Sequence, residues 1–276
     1  MKVKVIVVGG NGFIGKNLLP IFLNKNYEIT ATYKSTKPNI FKNKIKWVKF
    51  NYKKDSNLQI FKDINLVIHL GWENLPNYTK NFHTKVELKY QKKFIKNIIK
   101  LGTKNIFIAG TCFEYGKIEG LCKEITRLNP NTEYGKAKNE LRIYVEKLNA
   151  KYNFKYTWGR MFYLYGKHQS TKSLYPQLME SIKKNKTFKM SIGEQLRDFL
   201  SIEEACKYIF LLSTNNKKNK IVNICSNNKI KVKQLVNKII KKNKSKIKIL
   251  YGKYQIPPYE AKNFWGSNKK LHKLLK

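Results

Sequence analysis

The sequence predicts an α/β protein in which a doubly wound parallel sheet carries a smaller, mixed α/β domain. Three observations support this prediction. Strand-like and helix-like segments alternate as far as residue 166, which is typical of consecutive β-α-β units. A glycine-rich turn separates the first apolar strand from the first helix, and the alternation loosens beyond residue 166. With 276 residues, the chain is long enough to bury a large core.

Runs rich in β-branched and aromatic residues predict the strands. In chain order they lie at 3–10, 27–35, 45–52, 64–72, 104–111, 156–166, 197–200 and 220–226. Apolar residues at helical spacing predict helices at 12–26, 86–102, 132–153, 173–186 and 201–214, before a lysine-rich terminal region at 229–276. Pro20 should bend the first helix because it removes one internal hydrogen bond. Ser201 and Glu204 have the spacing of a capping box.

Composition narrows the class of protein. The hydrophobic fraction of 42% and the aromatic fraction of 13% argue against disorder, and no apolar run approaches the length of about 18 residues that a membrane span needs. The short apolar burst at the start is followed at once by glycines, so it predicts a strand and not a signal peptide. The cysteines show neither a CxxC pair nor a metal-binding spacing, which fits a reduced cytoplasmic protein without a metal. They are Cys112, Cys122, Cys206 and Cys225.

The charge of +40 comes from 57 Lys and Arg residues against 17 Asp and Glu residues. Such an excess of positive charge would be consistent with a nucleic-acid partner. However, the lysines are spread over the whole chain beside Asn and Ile, and arginine, the better reader of phosphates, is scarce. Compositional drift on solvated faces explains this pattern better, although the field would still attract an anionic nucleotide.

The stretch "VVGGNGFIGKNLL" places glycines at 9, 12 and 15, between a predicted strand and a predicted helix. This is the signature of a dinucleotide-binding turn. Gly9 would permit the tight turn, Gly12 would admit a pyrophosphate to the backbone, and Gly15 would let the helix pack on the sheet. The sequence therefore predicts a Rossmann-type cofactor site.

The end of the second strand bears on the choice of nicotinamide cofactor. An acidic residue there would bind the ribose 2′-hydroxyl and repel a 2′-phosphate. The strand ends in Tyr33, Lys34 and Ser35, without a carboxylate. The last two can donate to a phosphate, so the sequence favours NADP(H) over NAD(H).

Tyr134 and Lys138 lie four residues apart, on one face of a predicted helix. A lysine ammonium beside a tyrosine stabilises the phenolate and should lower the pKa of the phenol from about 10 toward the working range. Thr111 follows another predicted strand, where its hydroxyl can point into the same cleft. Together they predict a proton-transfer site.

The chain resembles the extended short-chain dehydrogenases/reductases that act on nucleotide sugars, a family of epimerases, dehydratases and 4-ketoreductases. The resemblance runs in order through "GGNGFIG", "VIHLGW", "GTCFEYG", "YGKAK", "GRMFYLYG", "GEQLRDFL" and "VNICS". It implies that Thr111, Tyr134 and Lys138 form a catalytic triad. In such a triad Tyr134 exchanges the proton, Lys138 holds the nicotinamide ribose and Thr111 hydrogen-bonds the reacting oxygen.

The resemblance also implies which residues bind the two ligands. The cofactor would be bound by Gly9, Asn11, Gly12, Phe13, Ile14, Gly15, Tyr33, Lys34, Ser35, Asn51, Tyr52, Leu70, Gly71, Trp72, Tyr134, Lys138 and Phe162. The nucleotide-diphosphate sugar would be bound by Thr111, Cys112, Phe113, Tyr163, His168 and Arg197, with Arg197 on the diphosphate. Two positions depart from the family: Asn51 replaces an adenine-binding Asp of many members, and Tyr163 replaces a substrate-binding Asn of some.

The residues next to Thr111 bear on which of the family's reactions this chain would catalyse. Family dehydratases resemble one another in an Asp-Glu pair directly after that Thr, and this chain has Cys112 and Phe113 there. Phenylalanine cannot move a proton, so dehydration is disfavoured. Reduction of a nucleotide-linked 4-keto-6-deoxy-hexose, a reaction of deoxysugar and surface-polysaccharide synthesis, needs only a hydride from NADPH and a proton from Tyr134. It is the favoured reaction.

Three alternatives stay open. An NAD-dependent 4-epimerase is disfavoured by the missing acid after the second strand. A combined epimerase-reductase would resemble this chain at His168, but places its cysteine two residues after the hydroxyl residue, whereas Cys112 follows Thr111 directly. A nucleic-acid-binding protein on this fold would commonly have lost the Tyr134–Lys138 pair. Of the other histidines, His69 suits a core or near-cofactor position, and His83 and His272 are expected in solvent.

Two expectations concern organisation. A dinucleotide-binding domain would comprise 1–162 and about 197–225, and a nucleotide-sugar-binding domain about 163–196 and 226–276. The helices around 85–101 and 133–152 carry apolar faces, and by resemblance they would pair in a homodimer. The nucleotide base, the sugar and the stereochemistry of the product have no motif in the sequence.

Overall fold

The fold is known from a computed structural model that describes residues 2–54, 58–215 and 218–276. Its first half contains β1 (Lys4–Val8), α1 (Phe13–Leu23), β2 (Glu28–Tyr33), β3 (Lys46–Lys49), β4 (Leu66–His69), α2 (Leu88–Lys100), β5 (Asn105–Thr111), β6 (Gly120–Cys122) and α3 (Glu133–Tyr152). It continues with β7 (Lys155–Met161), β8 (Tyr163–Tyr165), α4 (Leu174–Lys183), β9 (Phe188–Lys189), β10 (Leu196–Ser201), α5 (Ile202–Thr214), β11 (Lys220–Ile224), β12 (Lys229–Lys231), α6 (Val232–Lys242), β13 (Ile249–Leu250), β14 (Asn263–Gly266) and α7 (Lys269–Leu275).

Seven strands form a parallel sheet in the order β11-β7-β5-β4-β1-β2-β3. The chain winds outward from β1 in one direction and from β4 in the other, so a crevice opens where these two strands lie side by side. Ligands of doubly wound sheets bind at such a switch point, outside the carboxyl ends of the strands. The predicted fold class is confirmed.

Helices cover both faces of this sheet. On one face α1 and α5 pack against the buried side chains of β1, β2 and β4, around Leu18, Phe22 and Ile209. On the other face α2 and α3 bury a second core around Ile95, Leu141 and Trp158. Because both faces are covered, the central strands β1 and β4 are buried along almost their whole length, whereas the strands at the β3 edge are partly exposed. α1 runs through Pro20 to Leu23, and the expected bend stays a prediction.

The predicted strand at 156–166 is two strands in the structure. β7 belongs to the main sheet, whereas β8 pairs with β10 in a second sheet of order β12-β10-β14-β6. The chain changes sheets at Phe162, which is buried beside Phe264 at a ring-centroid distance of 5.3 Å. A third core, around Leu178, Phe188 and Val236, holds α4 and α6 together.

The boundaries of the two expected domains stay a prediction, but several segments differ from it. β6 lies in the second sheet although it precedes residue 162, and β10 pairs there as well. The terminal helix α7 packs against α5 and β11 of the larger unit, where Leu271 is fully buried. The chain returns to the larger unit in this way because apolar residues from its beginning and its end pack in the same core of the main sheet.

Two kinds of feature are absent from the described parts of the chain. No helix found there is long and apolar enough to cross a membrane. The same ranges contain no group of three or more His, Cys, Asp or Glu side chains placed to hold a metal ion.

Candidate active site and cofactor cleft

The glycine turn joins β1 to α1 with little space to spare. Gly9 has φ +81°, a conformation that side chains disfavour, and a Cβ there would lie 3.1 Å from the Gly71 nitrogen. The Gly12 N–H donates to the Gly9 carbonyl at 3.0 Å. A Cβ on Gly15 would lie 2.5 Å from the Gly10 oxygen. The turn therefore brings the start of α1 close to the end of β4.

A cleft of about 300 Å³ opens beside this turn, at the switch point of the sheet. The predicted cofactor residues that line it are Gly9, Asn11, Gly12, Tyr33, Lys34, Ser35, Asn51, Tyr52, Leu70, Gly71 and Trp72. Those that lie outside its lining are Phe13, Ile14, Gly15, Tyr134, Lys138 and Phe162. A cleft with a helix N-terminus and a glycine backbone at one end suits a dinucleotide, so the residues present fit a nicotinamide cofactor.

The sequence did not reveal a carboxylate at the rim of this cleft. Glu73, which follows β4, lines the cleft and pairs with Lys34 at 2.7 Å and with Lys53 at 2.8 Å. Lys53 also pairs with the fully buried Glu87 at 2.7 Å. Burial opposes the charge on Glu73, but hydrogen bonds from the two lysines outweigh it and lower the pKa of that carboxyl. The cofactor motif points only to the end of β2, so it did not indicate Glu73, which lies in the segment after β4.

The predicted triad comes together at the end of β5. Thr111 ends that strand, and its side chain hydrogen-bonds the hydroxyl of Tyr134, which lies in the first turn of α3. The Thr132 side chain caps α3 by accepting from the Gly135 N–H at 3.0 Å. One turn later, the Lys138 ammonium donates to the Ala109 carbonyl of β5 at 2.8 Å.

The pKa of Tyr134 is raised in this structure, in spite of the nearby Lys138. Its ammonium lies 3.9 Å from the centroid of the Trp72 ring and 5.9 Å from that of the Tyr134 ring. Burial raises the pKa of Tyr134, and Tyr78 adds to this, although the bond to Thr111 works in the opposite direction. Burial likewise lowers the pKa of Lys138 to about 7. The expected direction for Tyr134 was wrong because two buried groups lose more solvation than they gain from each other.

Aromatic rings surround Tyr134. Tyr78 stacks on Phe113 with centroids 4.6 Å apart and lies 5.5 Å from Tyr134. Tyr259, from the segment before β14, lies 6.3 Å from Tyr78 and 6.2 Å from Phe113. Among these rings Phe113 was predicted, whereas Tyr78 and Tyr259 were missed because they stand in segments without a motif. A wall of this kind offers a sugar apolar faces and hydroxyls.

Three of the predicted substrate residues line a small cavity of about 10 Å³. Cys112, Phe113 and Tyr163 line it together with Glu260. Burial raises the pKa of the Cys112 thiol well above its usual value. Cys112 is therefore a neutral thiol at neutral pH.

Arg197 lies beside this cavity and is itself 1% exposed. Its guanidinium donates to Glu260 at 2.6 Å and to the carbonyls of Leu196 and Lys262. It also lies 5.3 Å from the Tyr163 ring centroid. Arg197, the residue expected to bind the diphosphate, is therefore already paired with a carboxylate of the chain.

Of the four histidines, His83 departs from the expectation, whereas His272 is exposed as expected. His168 has φ +69° in the loop after β8, where partial burial and the charges of Lys16 and Lys167 lower its pKa. His69 is buried and hydrogen-bonds Gln91. His83 was expected in solvent, which is wrong. It is fully buried, accepts from the Trp72 indole N–H at 3.1 Å and stacks on that ring, because a π-helical turn at His83–Glu87 brings it under Trp72.

Comparisons with known proteins agree with this geometry. Residues 5–225 match the model of the NAD dependent epimerase/dehydratase family. The chain is 25% identical over 269 residues to dTDP-6-deoxy-L-talose 4-dehydrogenase (NAD(+)) of Aggregatibacter actinomycetemcomitans, covering 95% of this chain and 99% of that protein. It is 25% identical over 232 residues to GDP-6-deoxy-D-talose 4-dehydrogenase of the same organism, covering 81% of this chain and 74% of that one.

Among solved structures, the UDP-N-acetylglucosamine 4-epimerase of Methanobrevibacter ruminantium M1, in complex with UDP-N-acetylmuramic acid, has the same fold. The TM-score is 0.87 at 21% identity, over 99% of this chain and 92% of that one.

Proposed function

The chain belongs to the NAD dependent epimerase/dehydratase family, and we propose that within it the protein is an NADPH-dependent 4-ketoreductase of a nucleotide-activated 4-keto-6-deoxy-hexose. The observation that carries this proposal is the Tyr134 hydroxyl, hydrogen-bonded to Thr111 inside an aromatic wall. Two relatives named as 4-dehydrogenases of 6-deoxy-talose nucleotides catalyse redox chemistry at the corresponding carbon of a sugar, which supports it.

Reduction of a ketone adds a hydride to carbon and a proton to oxygen. The nicotinamide cofactor supplies the hydride when it is bound. Tyr134 supplies the proton: its phenol is protonated at neutral pH, and burial, which raises its pKa, also makes it a weaker acid. Thr111 hydrogen-bonds the phenol and positions it. Lys138, between β5 and Trp72, provides positive charge next to the cofactor cleft.

The side chains after Thr111 do not support water elimination. Phe113 has no proton to give, and burial keeps Cys112 a neutral thiol. Glu114 is fully buried, where it pairs with Arg160 at 2.8 Å and accepts from the Trp158 indole at 2.9 Å. Its carboxylate therefore stabilises the buried core and the turn at Thr111. The same neutral thiol disfavours a combined epimerase-reductase that would use Cys112 as its base.

A 4-epimerase is the second candidate, favoured by the fold likeness to an epimerase and by a carboxylate, Glu73, in the cofactor cleft. Purified protein incubated with 4-keto-6-deoxy sugar nucleotides and either NADPH or NADH distinguishes the two functions. A reductase consumes reduced nicotinamide in proportion to the alcohol formed. An epimerase retains bound NAD and interconverts 4-hydroxy epimers without net consumption, which would contradict the proposal.

We further propose that NADP(H) is preferred, since Tyr33, Lys34 and Ser35 line the cleft at the end of β2 without a carboxylate of their own. Titration with NADPH and NADH by fluorescence tests this. Tighter binding of NADH would overturn it.

A homodimer formed through α2 and α3 is proposed as well. Val86, Leu101 and Ile143, on or beside these helices, are more than a third exposed although apolar. Light scattering at the working concentration should give twice the 32.6 kDa of the chain, and a monomer would refute the proposal. We also propose a cytoplasmic location and a nucleotide-diphosphate sugar as ligand; the family membership supports both and disfavours a nucleic-acid partner.

A further inference from the structure

The rim of the cofactor cleft contains a chain of alternating charges: Lys34, Glu73, Lys53 and Glu87. The distances between consecutive charged atoms are 2.7, 2.8 and 2.7 Å. Lys34 comes from the end of β2, Glu73 from the end of β4, and both line the cleft. The Lys34–Glu73 pair therefore joins the two strand ends between which a dinucleotide enters.

The two ends of this chain of charges differ in how firmly they are held. Glu87 is fully buried, and Lys53, with 14% of its side chain exposed, lies 4.4 Å from the centroid of the Phe82 ring. Burial opposes the charge of Lys53, but its hydrogen bonds to Glu73 and Glu87 outweigh that effect and raise its pKa. Glu73 is fixed further by its own N–H, which donates to Glu87 at 3.3 Å. Lys34, at the other end, has 58% of its side chain exposed and pairs with Glu73.

The lysine that was expected to bind a 2′-phosphate thus lies against a fixed carboxylate. An exposed ion pair contributes little to stability, so Lys34 can leave Glu73 easily. A phosphate monoester that drew Lys34 away would nevertheless stand close to the charge of Glu73, and like charges repel. A 2′-hydroxyl carries no charge and can donate to a carboxylate.

We propose that Glu73 is a specificity-determining residue of the cofactor cleft: it withholds Lys34 from a 2′-phosphate and so shifts the balance between NADP(H) and NAD(H) toward NAD(H). This inference rests on the proposed use of a nicotinamide cofactor and does not depend on the sugar. It assigns the discrimination to a residue after β4, coupled to one at the end of β2. The preference for NADP(H) proposed above is then weaker than the residues of β2 alone imply.

The test is a double-mutant cycle on the full chain, with dissociation constants of NADPH and NADH measured by fluorescence in the absence of any sugar. Glu73→Gln should tighten NADPH binding about 10-fold, and change NADH binding less than about 3-fold. Lys34→Met should weaken NADPH binding much more in the Glu73→Gln background than in the wild type, because only there is Lys34 free to meet the phosphate. Glu28→Gln, at the exposed start of β2, is the matched control and should leave both constants unchanged.

Equal changes in the two constants on Glu73→Gln, or weaker NADPH binding, would overturn the inference. So would a Lys34→Met effect of the same size in both backgrounds. Circular dichroism of each variant checks that it folds, and Glu73→Asp offers a second variant that keeps the charge but shortens its reach, with an intermediate effect expected. A protein that binds either cofactor but reduces no keto sugar would refute the proposed reaction and leave this test intact.

Discussion

The cofactor cleft differs in construction from the region proposed to bind the sugar. This region, called the sugar side below, lies around Tyr78, Phe113, Arg197, Tyr259 and Glu260. The cleft holds about 300 Å³ and is lined at the glycine turn mainly by backbone. The sugar side retains about 10 Å³, because side chains from separate segments fill it. Tyr78 and Tyr259 close over Phe113, and Glu260 engages Arg197. The first region has room for a ligand as it stands, whereas the proposed sugar nucleotide would need Tyr259 and Glu260 to move out of the second.

This difference explains why one region is easy to find in a sequence and the other is not. Backbone geometry at a turn depends on a few adjacent residues, so a motif describes it. A wall of side chains depends on how distant segments pack, and no spacing describes that. Four tests, from the largest expected effect to the smallest, examine whether the two regions are as independent as their construction indicates.

The largest effect is expected from Tyr134→Phe, which removes the proton donor on the sugar side and leaves the cleft intact. Reduction should fall about 100- to 10,000-fold while the dissociation constant for NADPH stays the same. Steady-state kinetics and a binding titration measure the two quantities. Tyr144→Phe, nearly three turns later in α3, is the matched control and should keep full activity. A parallel loss of cofactor binding in Tyr134→Phe would show that the two regions are not separable.

Lys138→Met tests the residue that joins the two regions. With a pKa of about 7 in the folded state against 10.5 for an ordinary lysine, Lys138 binds fewer protons when folded than when unfolded across that interval. The free energy of unfolding of the wild type should therefore rise with pH relative to the variant, by at most about 3 kcal/mol between pH 7 and pH 9.5. Urea denaturation at several pH values measures it.

Lys136→Met, with its side chain half exposed on the same helix, is the control and should follow the wild type. Identical pH dependence in the wild type and in Lys138→Met would mean that the ammonium keeps its ordinary pKa and is not desolvated.

Glu260→Gln tests whether Arg197 belongs to the sugar side. The change leaves a buried guanidinium without its carboxylate, and it should cost about 2 kcal/mol of stability, less than for a fully buried pair because Glu260 keeps some contact with solvent. If Arg197 binds a diphosphate, inorganic pyrophosphate should raise the melting temperature of the variant more than that of the wild type. Glu194→Gln, an exposed carboxylate paired with two lysines, should show neither effect. Equal pyrophosphate shifts would assign Arg197 a purely structural role.

The smallest effects are expected from substitutions at two glycines of the turn, Gly12 and Gly15. Gly15→Ala should cost about 1–2 kcal/mol, because its Cβ meets the backbone of Gly10, which cannot move away easily. Gly12→Ala meets the Gly9 oxygen at the milder distance of 3.2 Å and should change thermal stability less. Since Gly12 lines the cleft, it should instead weaken cofactor binding about 10-fold. Thermal denaturation and titration of both variants separate packing from binding, and the reverse ranking would contradict these roles.

Much of the fold followed from the chain alone. Apolar strands alternating with amphipathic helices predicted the parallel sheet, and the helices at 132–153 and 201–214 lie within a residue of α3 and α5. The break of the strand at 156–166 into β7 and β8 was not predicted, because both halves are equally rich in aromatic residues. The pairing of β8 with β10 depends on partners more than thirty residues away.

The sequence by itself determined the glycine turn and the spacing that places Tyr134 and Lys138 on one face of α3, and its resemblance to a family indicated most of the residues that line the cofactor cleft. The turn and the spacing are local, so neighbouring residues suffice to specify them. Only the tertiary structure decided the environment of each group: the buried state of His83, the raised pKa of Tyr134, the carboxylate of Glu73 on Lys34 and that of Glu260 on Arg197. Solvation and charge pairing depend on every segment that packs against a side chain, and no stretch of sequence contains that information.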